Sequence, residues 1–265
     1  MSAKQPSLFD QPEPMAWPPM LVVDTETTGF DPVSDRIVEF AVVRVWPEGR
    51  VEGQGWLVNP GRPIPPEACE IHHLTDRHVA KAPALKTVLA KAALAYPPSG
   101  AIIVAHNAAF DAGFLPEPWT PRLCTLRLAR RLLPDLPAHR NQYLRYALGL
   151  DVPEAEGDAA HRALSDTFVT ARLLLRLLEE GRKRPELQAI FNDPERLIAW
   201  TEEPQLLKVC RFGKKHRDKL WSEVPQSYLK WMLAELKDLD LDTRFTLDTW
   251  LDRYAKGEAK PPKEG

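Results

Sequence analysis

An α/β fold built on a mixed sheet is what this 265-residue chain predicts, and three features carry that reading. Its first three apolar runs are short and closely joined, as in an antiparallel meander. The later runs alternate with stretches of helical periodicity, the pattern of strands each followed by a helix. With 44% hydrophobic residues, the chain is long enough for one well-buried domain and a smaller appendage.

The elements follow in order. Residues 1–18 are rich in proline and polar side chains and are expected to be disordered. The run LVVD at 21–24 reads as a buried strand, and the turn-rich stretch 28–35 leads to a second strand over 36–46. Pro47 and Gly49 supply the connection to a third strand at 51–58. Residues 65–79 carry no period and are expected to be irregular, before a helix at 84–95. AIIVAH at 101–106 is a buried strand running into a helix at 108–115, and a short strand at 122–124 precedes helices at 125–132 and 142–148. The clearest helix spans 162–178, where Leu164, Phe168, Ala171, Leu175 and Leu178 recur at helical spacing. The charged stretch 179–186 closes a domain expected over 19–182. A linker at 183–204, a small α+β module at 205–255 and a disordered tail at 256–265 complete the division.

Formal net charge is −2, so no overall positive field draws the chain to nucleic acid, and any such contact needs a local patch or bound metal. Cys69, Cys124 and Cys210 lack metal-ligand spacing and read as incidental thiols of a reducing compartment. No apolar run reaches membrane-spanning length and the N-terminus lacks a signal peptide's apolar core, so a cytoplasmic protein with no membrane partner is expected.

Three segments concentrate chemistry at the ends of these elements. In Asp24-Thr25-Glu26 the carboxylates at i and i+2 face one side of a strand and repel unless a cation lies between them. His106-Asn107-Ala108-Ala109-Phe110-Asp111 follows an apolar strand; taken alone, Asn107 as N-cap and Asp111 in the first turn would be ordinary helix-start chemistry. His161-Arg162-Ala163-Leu164-Ser165-Asp166 opens the strongest helix. Five residues are ~140° from stacking on one face, so His161 fits the helix entrance and Asp166 the turn inside it.

Together, D-x-E, N-x-x-F-D and H-x-A-x-x-D, in that order, resemble the DEDDh (DnaQ-like) 3′–5′ exonucleases. TETTGF after the first motif, RIVEFAVV in the second strand and IHHLT at 71–75 agree. VAHNAAFDAGFLPE, RLCTLRLARRLLPDL and FGKKHRDKLWSEVPQSYLKWML are similar to the exonuclease X branch, over about Leu21 to Leu251. The superfamily often has His-Gly at His72-His73 and Asp at Cys124; the exonuclease X branch shares both departures.

The resemblance implies a ribonuclease-H-like, mixed five-stranded sheet flanked by helices, with Asp24, Glu26, Asp111 and Asp166 as ligands of two divalent ions. An all-oxygen set suits Mg²⁺ or Mn²⁺ better than zinc. His161 is implied as the base that takes the attacking water's proton, its ordinary pKa lying near neutrality. Thr25 and Thr27 are implied at the terminal 3′ end, with Asn107, and with His72 and Phe110 against sugar or base; plain core packing is the other reading of His72 and Phe110. The expected activity is release of nucleoside 5′-monophosphates from DNA 3′ ends, single- or double-stranded, in repair. A polymerase proofreading subunit and an RNA-trimming enzyme are the alternatives. A non-catalytic nucleic-acid binder fits worst, having no use for all four acids and the histidine.

Two further segments suggest partners. Lys208, Arg211, Lys214, Lys215, Arg217 and Lys219 face only Asp218 in their stretch, with Phe212, Trp221, Tyr228 and Trp231 interleaved. The aromatics are expected to form the module's core and the basic turn of Lys214, Lys215 and Arg217 to touch DNA. Gln5-Pro6-Ser7-Leu8-Phe9 is similar to the tags by which bacterial replication and repair proteins dock on the sliding clamp, with Leu8 and Phe9 as apolar anchors and Gln5 as the polar handle.

Overall fold

The computed structural model describes residues 17–46, 48–155, 162–236, 239–260 and 262. At its centre is a five-stranded sheet in the order β3-β2-β1-β4-β5. Strands β1 (Met20–Thr27), β2 (Ile37–Val45) and β3 (Val51–Leu57) form the antiparallel meander, and β4 (Ile102–Ala105) and β5 (Leu123–Cys124) add in parallel. The sheet is mixed because β1 is paired both ways, antiparallel to β2 and parallel to β4. Gly49, at φ 87°, makes the tight β2–β3 return.

Side chains of β1 alternate between two cores, as the strand period requires. Met20 and Val22 join the side covered by α5 (Thr125–Leu132), α6 (Asn141–Ala147) and α7 (Ala163–Arg182). Leu21 and Val23 join the side covered by α3 (Leu85–Ala95) and α4 (Ala108–Phe114). Helices therefore flank both faces, and the central strand is buried from Met20 to Val23. Beyond Val23 the strand continues through Asp24, Thr25 and Glu26, whereas the sequence suggested that it stops at 24. Apolar runs mark where a strand is buried; they do not mark where its hydrogen bonds end.

Two stretches differ from expectation. Residues 65–79 hold short helices α1 (Pro66–His72) and α2 (Asp76–Val79), which cover a small core of Val38, Ile64, Ala68, Leu74 and Val79. Helices of one or two turns are too short to show a period. The expected linker at 183–204 carries α8 (Gln188–Phe191) and α9 (Pro194–Glu202), and Phe191, Leu197 and Ile198 are buried in the same core as α7. Their signals were local: Asp193 accepts from the N–H groups of Glu195 and Arg196, with Pro194 in the first turn. Gly181 is required there, since any side chain on it would run into the Phe191 ring. Helix α7 itself runs on to Arg182, and its buried face takes in Val169, Leu173, Leu174 and Leu177, while Leu164 and Leu175 are only half-buried.

The C-terminal module has its own small core of Cys210, Trp221, Val224, Leu229, Met232, Leu247 and Tyr254. It comprises α10 (Gln226–Glu235), α11 (Leu241–Ala255) and a basic turn closed by a Val209–Leu220 bridge. Asp242 joins it to α5: Arg127 donates to one carboxylate oxygen at 3.1 Å and Arg130 to the other at 3.2 Å. The three thiols are unpaired, with Cys124 and Cys210 buried. Among the described residues no helix is long and apolar enough to cross a membrane.

Candidate active site

Asp24 and Glu26 lie on the face of β1 that carries Met20 and Val22, toward α7. Asp166 stands in the first turn of α7. One carboxylate oxygen from each of the three lies within 4.8 Å of the others. Asp111, buried in α4, comes from the opposite side of the strand, where the Thr25 hydroxyl donates to its Oδ1 at 2.8 Å. Two strand-facing acids, one helix from each layer and the threonine between them thus put four carboxylates at one end of β1.

The electrostatics are those of a site built for a cation. Burial, then the charges of Asp111, Glu26, Asp166 and Glu39, hold the Asp24 carboxyl well above its ordinary range. Burial pushes Glu26 up to about 8, reinforced by Asp166, Glu39 and Asp111, and Arg162 offsets only part of this. Burial takes Asp111 up to about 7 against the hydrogen bond from Thr25. Carboxylates this close repel unless a cation joins them, although Asp24 and Glu26 are only half-buried, and an oxygen-only donor set fits a hard divalent ion.

Supporting residues that sequence reasoning missed hold Asp166 in place. Gln142 Nε2 donates to its Oδ1 at 2.5 Å and Asn141 Nδ2 to its backbone carbonyl at 3.0 Å, both from the start of α6. The loop before α6 is tethered in turn by His106, whose Nε2 donates to the His139 carbonyl at 2.9 Å while Nδ1 pairs with the Thr125 hydroxyl. Burial lowers the His106 pKa to about 4, so the ring works as a neutral tether. Glu39 is the other omission: RIVEFAVV puts a lone acid inside an apolar strand, a visible signal, and register sets it opposite Glu26.

Thr27 is buried, with its hydroxyl donating to the Gly29 carbonyl at 2.6 Å. Asn107 occupies the N-cap position of α4 and Asp111 its first turn, as helix-start chemistry suggests, but Asn107 is left-handed, φ 68°, and its side chain makes no capping bond. Phe110 packs on Phe114 and the exposed Phe30 at centroid distances of 5.1 and 6.2 Å. His72 is 1% exposed; the Leu74 N–H donates to its Nδ1 at 3.0 Å, and burial lowers its pKa, as in a packed interior ring. His161, Gln5, Leu8 and Phe9 lie outside the described residues.

A cleft of about 2000 Å³ separates the sheet domain from the C-terminal module. Its wall runs from Asn107 and Phe110, on the segment leading to Asp111, past Arg140 to Arg211, Phe212 and Arg217. The carboxylates themselves are not in that wall, nor are Lys214 and Lys215, which are exposed at the turn.

The exonuclease family model RNase_T matches residues 21–174 and so contains Asp24, Glu26, Asp111 and Asp166. The chain is also 34% identical over 234 residues to exodeoxyribonuclease 10 of Escherichia coli strain K12, covering 87% of this chain and 98% of that protein. It belongs to the DEDDh, DnaQ-like family of 3′–5′ exonucleases. It is accordingly a metal-dependent phosphodiester hydrolase. A solved structure of exonuclease X in complex with 5′-overhanging duplex DNA, 35% identical, superposes with a TM-score of 0.54 over 66% of this chain and 99% of that one. The nuclease domain of 3′hExo, a DEDDh family member bound to rAMP, shares the fold at 17% identity and a TM-score of 0.52, over 63% of this chain and 94% of that domain. These likenesses agree with the ribonuclease-H-like, mixed five-stranded sheet expected from the motifs.

Proposed function

We propose that this exonuclease removes nucleotides from DNA 3′ ends by two-metal hydrolysis, releases nucleoside 5′-monophosphates and serves DNA repair. The observation that carries it is the convergence of Asp24, Glu26 and Asp166 within 4.8 Å, with Asp111 tied in through Thr25. These four would hold two divalent ions, Mg²⁺ or Mn²⁺, which supply activation of the attacking water and stabilisation of the leaving 3′ oxygen. His161, one residue before the anchored Arg162, takes the proton from that water. Asn107 and Phe110 line the cleft toward the terminal nucleotide, with Thr25 and Thr27 behind it. His72, implied there by the family resemblance, is buried.

DNA is favoured by the exodeoxyribonuclease likeness and by the duplex-bound exonuclease X structure. A proofreading role finds support in a DNA polymerase III subunit epsilon-like protein of Rhodobacter capsulatus, 40% identical over 178 residues, 62% of this chain. That match covers 24% of the Rhodobacter protein, whereas the exodeoxyribonuclease alignment spans nearly the whole of both chains. That difference in coverage favours a free-standing enzyme. The C-terminal module adds a second wall, with Lys214, Lys215 and Arg217 on the phosphate backbone. Gln5, Leu8 and Phe9 bring the enzyme to the sliding clamp; loss of clamp pull-down in Leu8→Ala/Phe9→Ala supports this, and no pull-down by the intact chain ends it.

The test is purified protein with Mg²⁺ or Mn²⁺ on matched, end-labelled DNA and RNA, single- and double-stranded. Mononucleotides appearing stepwise from DNA 3′ ends are expected. Faster release from RNA would transfer the enzyme to RNA trimming, and activity undiminished by chelator would remove the metal mechanism.

A further inference from the structure

We propose that Glu39 is a positioning residue for catalysis, a buried carboxylate that pins the start of α7 and thereby the placement of Asp166. Glu39 is 3% exposed near the start of β2, where a charge is costly unless it is paired and hydrogen-bonded. Its Oε1 accepts from Arg162 Nη2 at 2.7 Å; its Oε2 accepts from Arg162 Nε at 3.1 Å and from the Ala163 N–H at 3.0 Å. The paired guanidinium contact fixes direction as well as distance. The third bond satisfies one of the orphan donors of the helix start, and Arg162, at the N-cap position, provides no side-chain cap of its own. A strand from across the sheet therefore caps the helix in place of a local residue.

The position of this cap gives it a catalytic consequence. Arg162 directly follows His161, and its carbonyl accepts from the Asp166 N–H at 3.0 Å. The clamp thus holds the chain at Arg162 and Ala163, in the turn that carries Asp166. Gln142 and Asn141 hold Asp166 from the other side. Although Glu39 stands opposite Glu26, its oxygens accept from Arg162 and Ala163, and it is not one of the three acids whose oxygens gather within 4.8 Å. It acts through its neighbours.

The inference rests on the exonuclease reading, and the experiment separates the two. Wild-type protein, Glu39→Gln, Glu39→Ala, Arg162→Lys, Arg162→Ala and the Glu39→Ala/Arg162→Ala double variant are compared for kcat, KM and Mn²⁺ binding by calorimetry, with melting curves as a fold check. Misplacement of reacting groups by about 1 Å costs on the order of 10²-fold, so Glu39→Ala is expected to lower kcat by that order with KM and Mn²⁺ affinity near wild type. Glu39→Gln, which keeps the shape and an acceptor for Ala163, should recover part of the rate. Because the two residues act as one unit, the double variant should be no worse than either alanine variant. Loss of Mn²⁺ binding in Glu39→Ala would overturn the proposal by making Glu39 a ligand, and so would a wild-type kcat or additive losses. Should Glu39→Ala not fold, Glu39→Gln and Arg162→Lys decide by the same kcat-against-binding comparison. A wild-type enzyme inactive on every substrate would instead sink the functional reading itself.

Discussion

Two places in this molecule bury acids at helix starts, and they are arranged in opposite ways. At the module junction Asp242, 1% exposed in the first turn of α11, accepts from Arg127, Arg130, the Gln205 N–H and the Gln205 side chain. At the end of β1, Asp24, Glu26, Asp111 and Asp166 stand together with hydroxyl and amide donors, and with Arg162 offsetting only part of the charge on Glu26. One carboxylate ringed by two guanidiniums is a fastening. Several carboxylates gathered with little positive charge among the described residues fit a receptor for cations. Burial alone does not distinguish the two; the balance of charge around the buried acid does.

The comparison breaks most visibly by neutralising one acid in each place. Asp24→Asn should reduce turnover by roughly 10³-fold or more, the several kcal/mol a missing ligand removes from charge stabilisation. In chelator the same variant should melt at or above the wild-type temperature, because a repulsive buried charge has gone. A melting temperature several degrees lower would show that Asp24 is structural. Asp242→Ala should do the reverse. Removing the buried acid that Arg127 and Arg130 share should cost about 2–4 kcal/mol, read from denaturant curves, while hydrolysis of a short oligonucleotide at low temperature stays near normal. If that variant is as stable as wild type, the fastening account of the junction fails.

Titration sharpens the contrast. The ordinary carboxyl values of 4.5 for Glu26 and 3.8 for Asp111 rise to about 8 and about 7 in the folded chain. Across that interval the folded state holds more protons than the unfolded one, so raising the pH favours unfolding. Metal-free protein should therefore lose stability from about pH 5 to pH 8, by roughly 5 °C in melting temperature. Saturating Mn²⁺ replaces the protons with a cation and should flatten or invert the slope. Parallel melting profiles with and without metal would contradict the cation-receptor account.

How much of this is legible in the sequence follows from the range of each interaction. Asp24 and Glu26 are readable as a pair because a strand's period of two acts over three residues. The family motifs then bring in Asp111 and Asp166, which no local rule joins to β1. Glu39 shows only as part of RIVEFAVV, since its meaning depends on Arg162, 123 positions away. Asp242 is invisible for the same reason, its partner Arg127 being 115 positions distant. Helices α8 and α9 resemble a connector because they are short and because Phe191, Leu197 and Ile198 are too few to show a period. Their burial is imposed by α7, a tertiary fact.

The smallest expected effect concerns a third set of charges, the exposed turn at Lys214, Lys215 and Arg217. Neighbouring cations are already engaged within the protein: Lys208 pairs with Asp135 and Arg211 with Asp218. Arg217 spends its Nε on the Gly213 carbonyl at 3.2 Å yet stays exposed on the cleft wall. Surface charges of this kind are screened by salt and each adds little to stability. Their use is in meeting another charged surface. Reversing all three to glutamate in the Asp24→Asn background, where DNA survives the measurement, should weaken DNA binding several-fold at low salt and lower the log–log salt slope by about one for each phosphate no longer neutralised. The melting temperature should hardly move, which separates these charges from Asp242. An unchanged salt slope would leave the turn as a solubilising surface and confine DNA recognition to the sheet domain.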